Sequence, residues 1–288
     1  MIYRTLPSRV LRMRLRSRVS ARVFTWHQDC SAYAVGDHAG IMAKRIPILA
    51  YHSILQDERA PLPDGWQILH TIPYRSLCSQ LDLLKGEGWG TVPVEALKDP
   101  AVWGCRNKQV LITFDDGHDS DLLAAAALAV RGFTAAFFIP WAHIGQPHFL
   151  DRSGVQQLSR DGFGVGSHGM THCRLTAVSG ERLWQELTES KARLEDLVGL
   201  PITDLAIPFG SYNRRVIAAA LGAGYATIMT SDIGQAMLGS NSRVLPRLPV
   251  KSFTTSADLL TLVGGSAFAV LRWRLAQGLA SRARLCFG

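Results

Sequence analysis

Short apolar runs alternate with longer stretches of helical periodicity from Ile46 onward. Each apolar run indicates a strand buried on both faces, and each periodic stretch indicates a helix that covers such strands. The predicted strands are 46–51, 109–114, 134–139, 164–167, 204–207, 226–230 and 243–245, and the predicted helices are 75–88, 120–130, 154–161 and 181–198. This alternation predicts an α/β fold with a mostly parallel sheet and about seven strand–helix units.

The length and composition permit one large domain with two tails. The chain has 288 residues, 47% hydrophobic and 19% charged, and no linker-like run divides its middle. We therefore expect a single domain over residues 46–256. Residues 1–45 are expected to be a basic extension, either disordered or upstream of a true start at Met42. Residues 257–288 are expected to form an amphipathic C-terminal tail.

Positive charge is concentrated near the N-terminus. Of the net charge of +8, residues 1–45 carry +7, from nine Lys or Arg and two Asp. A basic groove across the domain is therefore unsupported, and we expect no nucleic-acid partner. Both tails are basic, which suits peripheral contact with an anionic membrane. A terminal helix packed on the domain is the alternative for the C-terminal tail.

Targeting signals and cysteines bear on location. No run reaches the 18 or more apolar residues that span a bilayer, and the N-terminus lacks the continuous apolar core of a secretory signal. Five widely spaced cysteines, without a C-x-x-C pair, favour a reducing compartment. We expect the protein to be cytoplasmic or peripheral to the inner membrane.

Two adjacent carboxylates, Asp115 and Asp116, directly follow the predicted strand 109–114. Two neighbouring carboxylates repel each other unless a cation or a shared proton separates their roles. One is then suited to bind a metal and the other to take up a proton. A solvated Asp-Asp-Gly turn is the alternative explanation.

Two histidines, His168 and His172, follow another predicted strand at a spacing of four residues. On one face of a helical turn, both imidazoles reach one ion. With one Asp they form a three-ligand site that leaves a position open for water, as in catalytic metal centres. Cys173 follows directly, and we interpret it as a structural thiol rather than a fourth ligand.

The motifs TFDDG at 113–117, SHGMTH at 167–172 and IPFGSYN at 207–213 occur in the order found in the polysaccharide deacetylase family, carbohydrate esterase family 4. The chain resembles this family from about Ile46 to Val250. The resemblance implies a distorted (β/α) barrel with fewer than eight strands and a divalent metal. Zinc is the expected ion, with cobalt, nickel or manganese as alternatives.

The resemblance also implies residue roles. Asp115 corresponds to the general base, and Asp116, His168 and His172 correspond to the metal ligands. The turn Pro208–Phe209–Gly210 corresponds to the substrate and oxyanion site, with the amide near Phe209 as the donor. An N-acetylated glycan is the implied substrate.

Two positions depart from the family pattern. The late Leu-x-His motif, which usually supplies the catalytic acid, is replaced by a stretch around Arg247, and Ala206 stands where an Arg often lies. We expect Arg247 to supply the missing charge beside Asp115; a solvated surface side chain is the alternative. His52, at the end of the first strand, is the replacement acid that we favour, and His118 is the second candidate. The Tyr51-His52 ending resembles a subgroup linked to bacterial exopolysaccharide pathways.

The expected function is metal-dependent removal of N-acetyl groups from an N-acetylhexosamine-containing polysaccharide or its precursor. Two alternatives stay open. The missing late His suggests a non-catalytic glycan-binding relative. Related barrels use the same Lewis-acid chemistry on other C–N bonds, so a metal-dependent amidase acting on a small cyclic amide is the other.

Overall fold

The computed structural model describes residues 45–56, 68–99, 102, 108–237, 243–266, 270–271 and 273. These residues belong to one compact unit, Gly40–Gly288. Apart from Arg45, the predicted N-terminal extension lies outside the described residues, as does most of the predicted C-terminal tail. Among the described helices, none combines the length and apolar character that crossing a bilayer requires.

The secondary structure follows the alternation expected from the sequence. The strands of the described residues are β1 (Arg45–Ile46), β2 (Ile48–Tyr51), β3 (Ile54–Leu55), β4 (Ile72–Pro73), β5 (Gly90–Thr91), β6 (Gln109–Asp115), β7 (Ala136–Ile139), β8 (Gly164–Ser167), β9 (Asp204–Ala206), β10 (Thr227–Ile233), β11 (Ala236–Met237) and β12 (Val244–Pro249). Their α-helices are α1 (Tyr74–Gly86), α2 (Asp121–Ala129), α3 (Arg152–Arg160), α4 (Gly180–Val198), α5 (Arg214–Gly222) and α6 (Ser256–Val263). Short 3-10 turns occupy Val94–Lys98, Trp141–His143 and Pro208–Gly210.

Seven parallel strands close into a barrel. Their order is β2–β12–β10–β9–β8–β7–β6, and β6 pairs with β2 to complete the ring. These are the seven strands expected from the apolar runs, so the predicted single-domain (β/α) barrel is confirmed. The short strand β5 adds to one end of β6 outside the ring.

Alternation along the strands decides which side chains face the barrel interior. In β6, Val110, Ile112 and Phe114 belong to the larger apolar cluster, which also contains buried side chains of the helices. Leu111 belongs to the second cluster, with the strand residues Ile48, Phe138 and Leu245. Because side chains of a strand alternate between its two faces, Asp115 lies on the same face as Leu111. The same period places Arg247 on the face of Leu245.

Local sequence signals fix several helix ends. Asp151, Ser179 and Asn213 are N-caps whose side chains accept hydrogen bonds from backbone amides in the first turns of α3, α4 and α5. Thr255 and Asp258 form a capping box at the start of α6. Leu259 and Leu262 of α6 are buried. The described part of the predicted C-terminal tail therefore packs on the domain.

Candidate active site

Asp115 and Arg247 form a buried ion pair inside the barrel. The guanidinium of Arg247 donates to Asp115 Oδ1 at 2.8 Å and to Oδ2 at 2.6 Å, and both residues are only 2% exposed. Its remaining hydrogen bonds go to the Thr230 carbonyl at 3.0 Å and to Thr113 Oγ1 at 3.1 Å. The surface-exposed alternative for Arg247 is therefore wrong. Arg247 lies where the predicted charge beside Asp115 is needed.

The ion pair sets the charge of Asp115. Burial by itself raises the pKa of this carboxyl, but the charges of Arg247 and His168 and the Arg247 hydrogen bonds outweigh that effect. The pKa of Asp115 is consequently lowered, and the carboxylate is ionised at neutral pH. An ionised, rigidly held carboxylate is able to accept a proton.

Asp116, His168 and His172 converge on one point. Their ligand atoms all lie within 4.8 Å of one another. Asp116 Oδ1 is 3.4 Å from His168 Nε2 and 3.1 Å from His172 Nε2, and it is a buried oxygen with no hydrogen-bond partner. His168 Nδ1 lies 2.7 Å from the Ala206 carbonyl, which leaves Nε2 facing the cluster. The three residues thus fit a divalent metal ion.

Asp116 is ionised, as a carboxylate that binds a metal ion must be. Burial raises the pKa of its carboxyl, but the neighbouring imidazoles of His118, His168 and His172 hold the pKa well below its ordinary value. A carboxylate must be deprotonated to bind a metal. The backbone of Asp116 has a positive φ of 80°, a conformation that Asp tolerates better than most residues. The two neighbouring carboxylates have different partners, Arg247 for Asp115 and the imidazoles of His168 and His172 for Asp116.

The two histidines are not on a helical turn, contrary to the sequence expectation. Residues 168–172 form a loop after β8, and His172 has a positive φ of 56°. The Gly169 and Met170 carbonyls accept hydrogen bonds from the amides of Trp141 and Ala142 instead of from a following turn. Tertiary partners therefore replace the i to i−4 hydrogen bonds of a helix, yet the imidazoles still converge.

A cleft of about 390 Å³ opens beside these groups. It is lined by Asp115, Arg247 and the three converging residues, and further by His52, His70, Arg174, Phe209 and Lys251. Burial lowers the pKa of His52 to about 3, so its imidazole is neutral at neutral pH. His118, the second candidate acid, does not line the cleft; its ring stacks on Phe149 with centroids 5.0 Å apart.

The turn Pro208–Phe209–Gly210 borders the cleft through Phe209. Pro208 has no N–H, and the Gly210 amide donates to the Ile207 carbonyl at 2.9 Å. Of the three residues predicted for the oxyanion site, Phe209 therefore has the amide best suited to serve as donor. Its ring lies 4.7 Å from that of His172 and under the Arg174 guanidinium.

Several residues around the site were not predicted from the sequence. His70 and Lys251 contact each other and line the cleft, but neither lies in a recognisable motif. Glu186 is fully buried on α4 and bonds to the loop of the two histidines. Glu186 could have been found from the sequence, because it is an acidic residue at one of the apolar positions of an amphipathic helix. Cys173 is a free thiol and is not one of the clustered ligands.

Comparison with known proteins finds relatives that are polysaccharide deacetylases. Residues 105–228 match the family model described as polysaccharide deacetylase. YxkH of Bacillus subtilis, a protein assigned as a polysaccharide deacetylase, is 27% identical over 72% of this chain and 71% of its own length. A Bacillus cereus peptidoglycan-N-acetylglucosamine deacetylase is 31% identical over 43% of this chain, and the match spans 57% of that relative.

The fold recurs in solved structures. A polysaccharide deacetylase from Bacillus cereus superposes with a TM-score of 0.68 at 23% identity, covering 77% of this chain and 69% of that one. The residues matched by the family model contain both Asp115–Asp116 and the His168–His172 loop. In its motifs, its barrel and its sequence matches, this chain is similar to the polysaccharide deacetylase family.

Proposed function

We propose that this protein is a metal-dependent hydrolase that removes N-acetyl groups from an N-acetylhexosamine-containing polysaccharide or its precursor. One observation carries the proposal: an ionised, arginine-held carboxylate lies next to three converging ligands in an open cleft. The named activity of the Bacillus cereus relative, deacetylation of peptidoglycan N-acetylglucosamine, supports the same reaction class.

Asp115 is the proton acceptor in this proposal. Hydrolysis of an amide requires a water molecule to lose a proton as it attacks the carbonyl carbon. The bidentate contact with Arg247 fixes the orientation of both carboxylate oxygens, so Asp115 need not reorganise during the transfer. Arg247 itself acts on Asp115 and not on the substrate.

Asp116, His168 and His172 would hold the divalent metal, with zinc as the expected ion. When bound, such an ion supplies Lewis-acid polarisation of the acetyl carbonyl and of water. The Phe209 amide is the proposed second donor to the oxyanion that forms when water adds to the carbonyl. Loss of one such donor typically reduces kcat by about 10²-fold to 10³-fold.

His52 is the proposed acid for the amine leaving group. It lines the cleft and follows β2, the strand that neighbours both β6 and β12. Because its imidazole is neutral at neutral pH, it must first gain a proton, for which the proton that Asp115 takes from water is the source; it then gives that proton to the amine nitrogen as the C–N bond breaks. The Tyr51-His52 ending also supports a substrate from an exopolysaccharide pathway.

The test measures acetate release in the presence of saturating zinc, cobalt, nickel or manganese. The substrate panel contains chitin oligomers, peptidoglycan, a β-1,6-linked N-acetylglucosamine oligomer and small cyclic amides. We expect release from at least one glycan. Asp115→Asn should reduce the rate by about 10²-fold or more while the metal is retained. Combined His168→Ala and His172→Ala should abolish both metal binding and activity.

Asp119→Asn is the matched control, because Asp119 is exposed in the same segment. Acetate release that is unaffected by Asp115→Asn would disprove the base assignment. Glycan binding without turnover under every metal would favour the non-catalytic relative. Hydrolysis confined to the cyclic amides would favour the amidase.

A further inference from the structure

Glu186 is a buried carboxylate that bonds to the loop between the two histidine ligands. It is fully inaccessible, and it lies on α4 rather than on a barrel strand. Its Oε2 accepts hydrogen bonds from the amides of Met170 at 3.0 Å and Thr171 at 2.8 Å. Its Oε1 accepts from Thr171 Oγ1 at 2.6 Å and from Arg182 at 2.7 Å.

The loop is held by its neighbours: the Gly169 amide donates to Ser167 Oγ at 3.1 Å, and other contacts come from outside the loop. Residues 168–172 form no regular helix, so the Met170 and Thr171 amides need partners from elsewhere in the fold. Trp141 and Ala142 satisfy two of the loop carbonyls from one side, and Glu186 satisfies two of the amides from the other. The loop is therefore held between the segment after β7 and helix α4.

The two ligands depend on this support to different degrees. The His168 amide donates to the Ile139 carbonyl of β7 at 3.0 Å, and its Nδ1 contacts the Ala206 carbonyl. His168 is thus fixed by the barrel. His172 lies beyond the loop, and the contacts found for its ring are with His143, His168, Phe209 and Asp116. Its position relative to His168 is set by the three residues between them.

We infer that Glu186 is a positioning residue for the metal site, holding the 169–171 loop so that His172 reaches the point defined by Asp116 and His168. The inference rests on the proposed metal site. It predicts that the carboxylate of Glu186 contributes to metal affinity although it touches neither the ion nor the substrate. Outer-shell partners of metal ligands typically change metal affinity by about 10-fold to 100-fold.

The test is the zinc dissociation constant of the full-length protein, measured by competition with a chromogenic chelator. Glu186→Gln retains one oxygen for the two amides but sets an NH₂ group against Arg182, and we expect affinity to fall about 10-fold. Glu186→Ala removes every acceptor, and we expect a fall of about 100-fold. Thr171→Val removes only the hydroxyl donor and should give a smaller loss.

Glu189→Gln provides the control, since it makes the same change at an exposed position of the same helix. We expect wild-type affinity for it. Thermal unfolding of the zinc-free proteins separates positioning from stability: the folded variants should lose affinity even where Tm is close to that of the wild type.

The outcomes distinguish this inference from the proposed function. A wild-type protein that binds none of zinc, cobalt, nickel and manganese would overturn both. Wild-type binding with unchanged affinity in Glu186→Gln would overturn the positioning role alone. If Glu186→Gln does not fold, Thr171→Val decides instead, and an unchanged dissociation constant in that variant would overturn the role.

Discussion

At the scale of single residues, two bidentate Arg–Asp pairs of similar geometry differ in burial. Arg247 and Asp115 are both 2% exposed. Arg131 donates to the two oxygens of Asp82 at 2.8 and 2.9 Å, but the Asp82 side chain is 64% exposed. A buried charge without its partner is far more costly than an exposed one, so the two pairs should respond differently to mutation.

Arg247→Gln should destabilise the protein by about 3–5 kcal/mol, because it leaves Asp115 as an uncompensated buried carboxylate. The double variant Asp115→Asn with Arg247→Gln should be more stable than Arg247→Gln alone, since no charge is then left unpaired. Chemical denaturation in the presence of a chelator measures both. Arg131→Gln is the control, with a much smaller loss. Equal losses for the two arginines would show that the buried pair has no special cost.

Asp121 is a second residue whose burial has a measurable consequence. Both carboxylate oxygens are buried without a hydrogen-bond partner, at the first position of α2. Burial and the charges of Asp116, Asp115 and Asp119 raise the pKa of Asp121 well above its ordinary value. The folded state therefore holds a proton more tightly than the unfolded chain. Stability from this group is fully present below the unfolded pKa and is lost as pH rises through the folded pKa.

Asp121→Asn should consequently raise Tm at pH 7–8 and give little gain at pH 4. A gain of about 1 kcal/mol corresponds to roughly 2–4 °C in a domain of this size. Differential scanning calorimetry across that pH range provides the measurement, with Asp196→Asn as the exposed control. A variant less stable than the wild type at every pH would mean that the helix amides stabilise the ionised carboxylate.

At the scale of elements, the turn Pro208–Gly210 depends on close packing against the end of β10. Phe209 and Gly210 have positive φ angles of 58° and 61°. A Cβ at Gly210 would lie 2.3 Å from the side chain of Ser231 and 2.9 Å from its backbone nitrogen. Gly132 has a similar φ of 70°, but a Cβ there would meet nothing within 4 Å. The two glycines share a backbone conformation and differ in contact.

Gly210→Ala should therefore displace the turn and reduce deacetylation by about 10-fold or more, because the Phe209 amide moves from the cleft. Gly132→Ala should cost only about 1 kcal/mol of stability, from the left-handed backbone, with activity unchanged. Adding Ser231→Gly to Gly210→Ala should restore part of the rate. Rates of acetate release and thermal unfolding measure these effects. Full activity in Gly210→Ala would remove the turn from the proposed mechanism.

The bounds of most strands and helices could be predicted from the sequence. The run 164–167 coincides with β8, and most other predicted bounds lie within three residues of the structure. The predicted strand 46–51 divides at Pro47, which lacks the N–H that a continuous ladder requires. The predicted strand 243–245 was also too short, because prolines are rare inside strands: β12 runs to Pro249 instead of ending at Leu245. Helix α5 was not predicted; its charged start follows a short turn motif.

At the scale of the whole molecule, the candidate site was predictable where it depends on strand register and unpredictable where it depends on loops. Asp115 ends a strand whose alternation points it inward, so its position follows from local pattern. The meeting of Asp115 with Arg247 links residues 132 positions apart. That contact follows only once the barrel closes between β6, β2 and β12. Glu186 and His70 required the tertiary contacts themselves.

The apolar core is separate from the proposed metal site, and we therefore expect metal removal to leave the fold intact. The apolar clusters on both sides of the barrel strands do not include the three ligands, so the barrel should remain folded in a chelator. The proposed zinc ion should bind the folded site, where Asp116, His168 and His172 converge, more tightly than the dispersed ligands of the unfolded chain. At a free concentration of 100 times the dissociation constant it should add about 2.7 kcal/mol. That stabilisation corresponds to a rise in Tm of roughly 5–10 °C.

Scanning calorimetry with and without EDTA measures the shift, and circular dichroism should show a folded protein in both conditions. The variant lacking His168 and His172 should show no rise. An equal rise in that variant would mean that zinc binds elsewhere on the chain, and unfolding in EDTA would mean that the metal is part of the core.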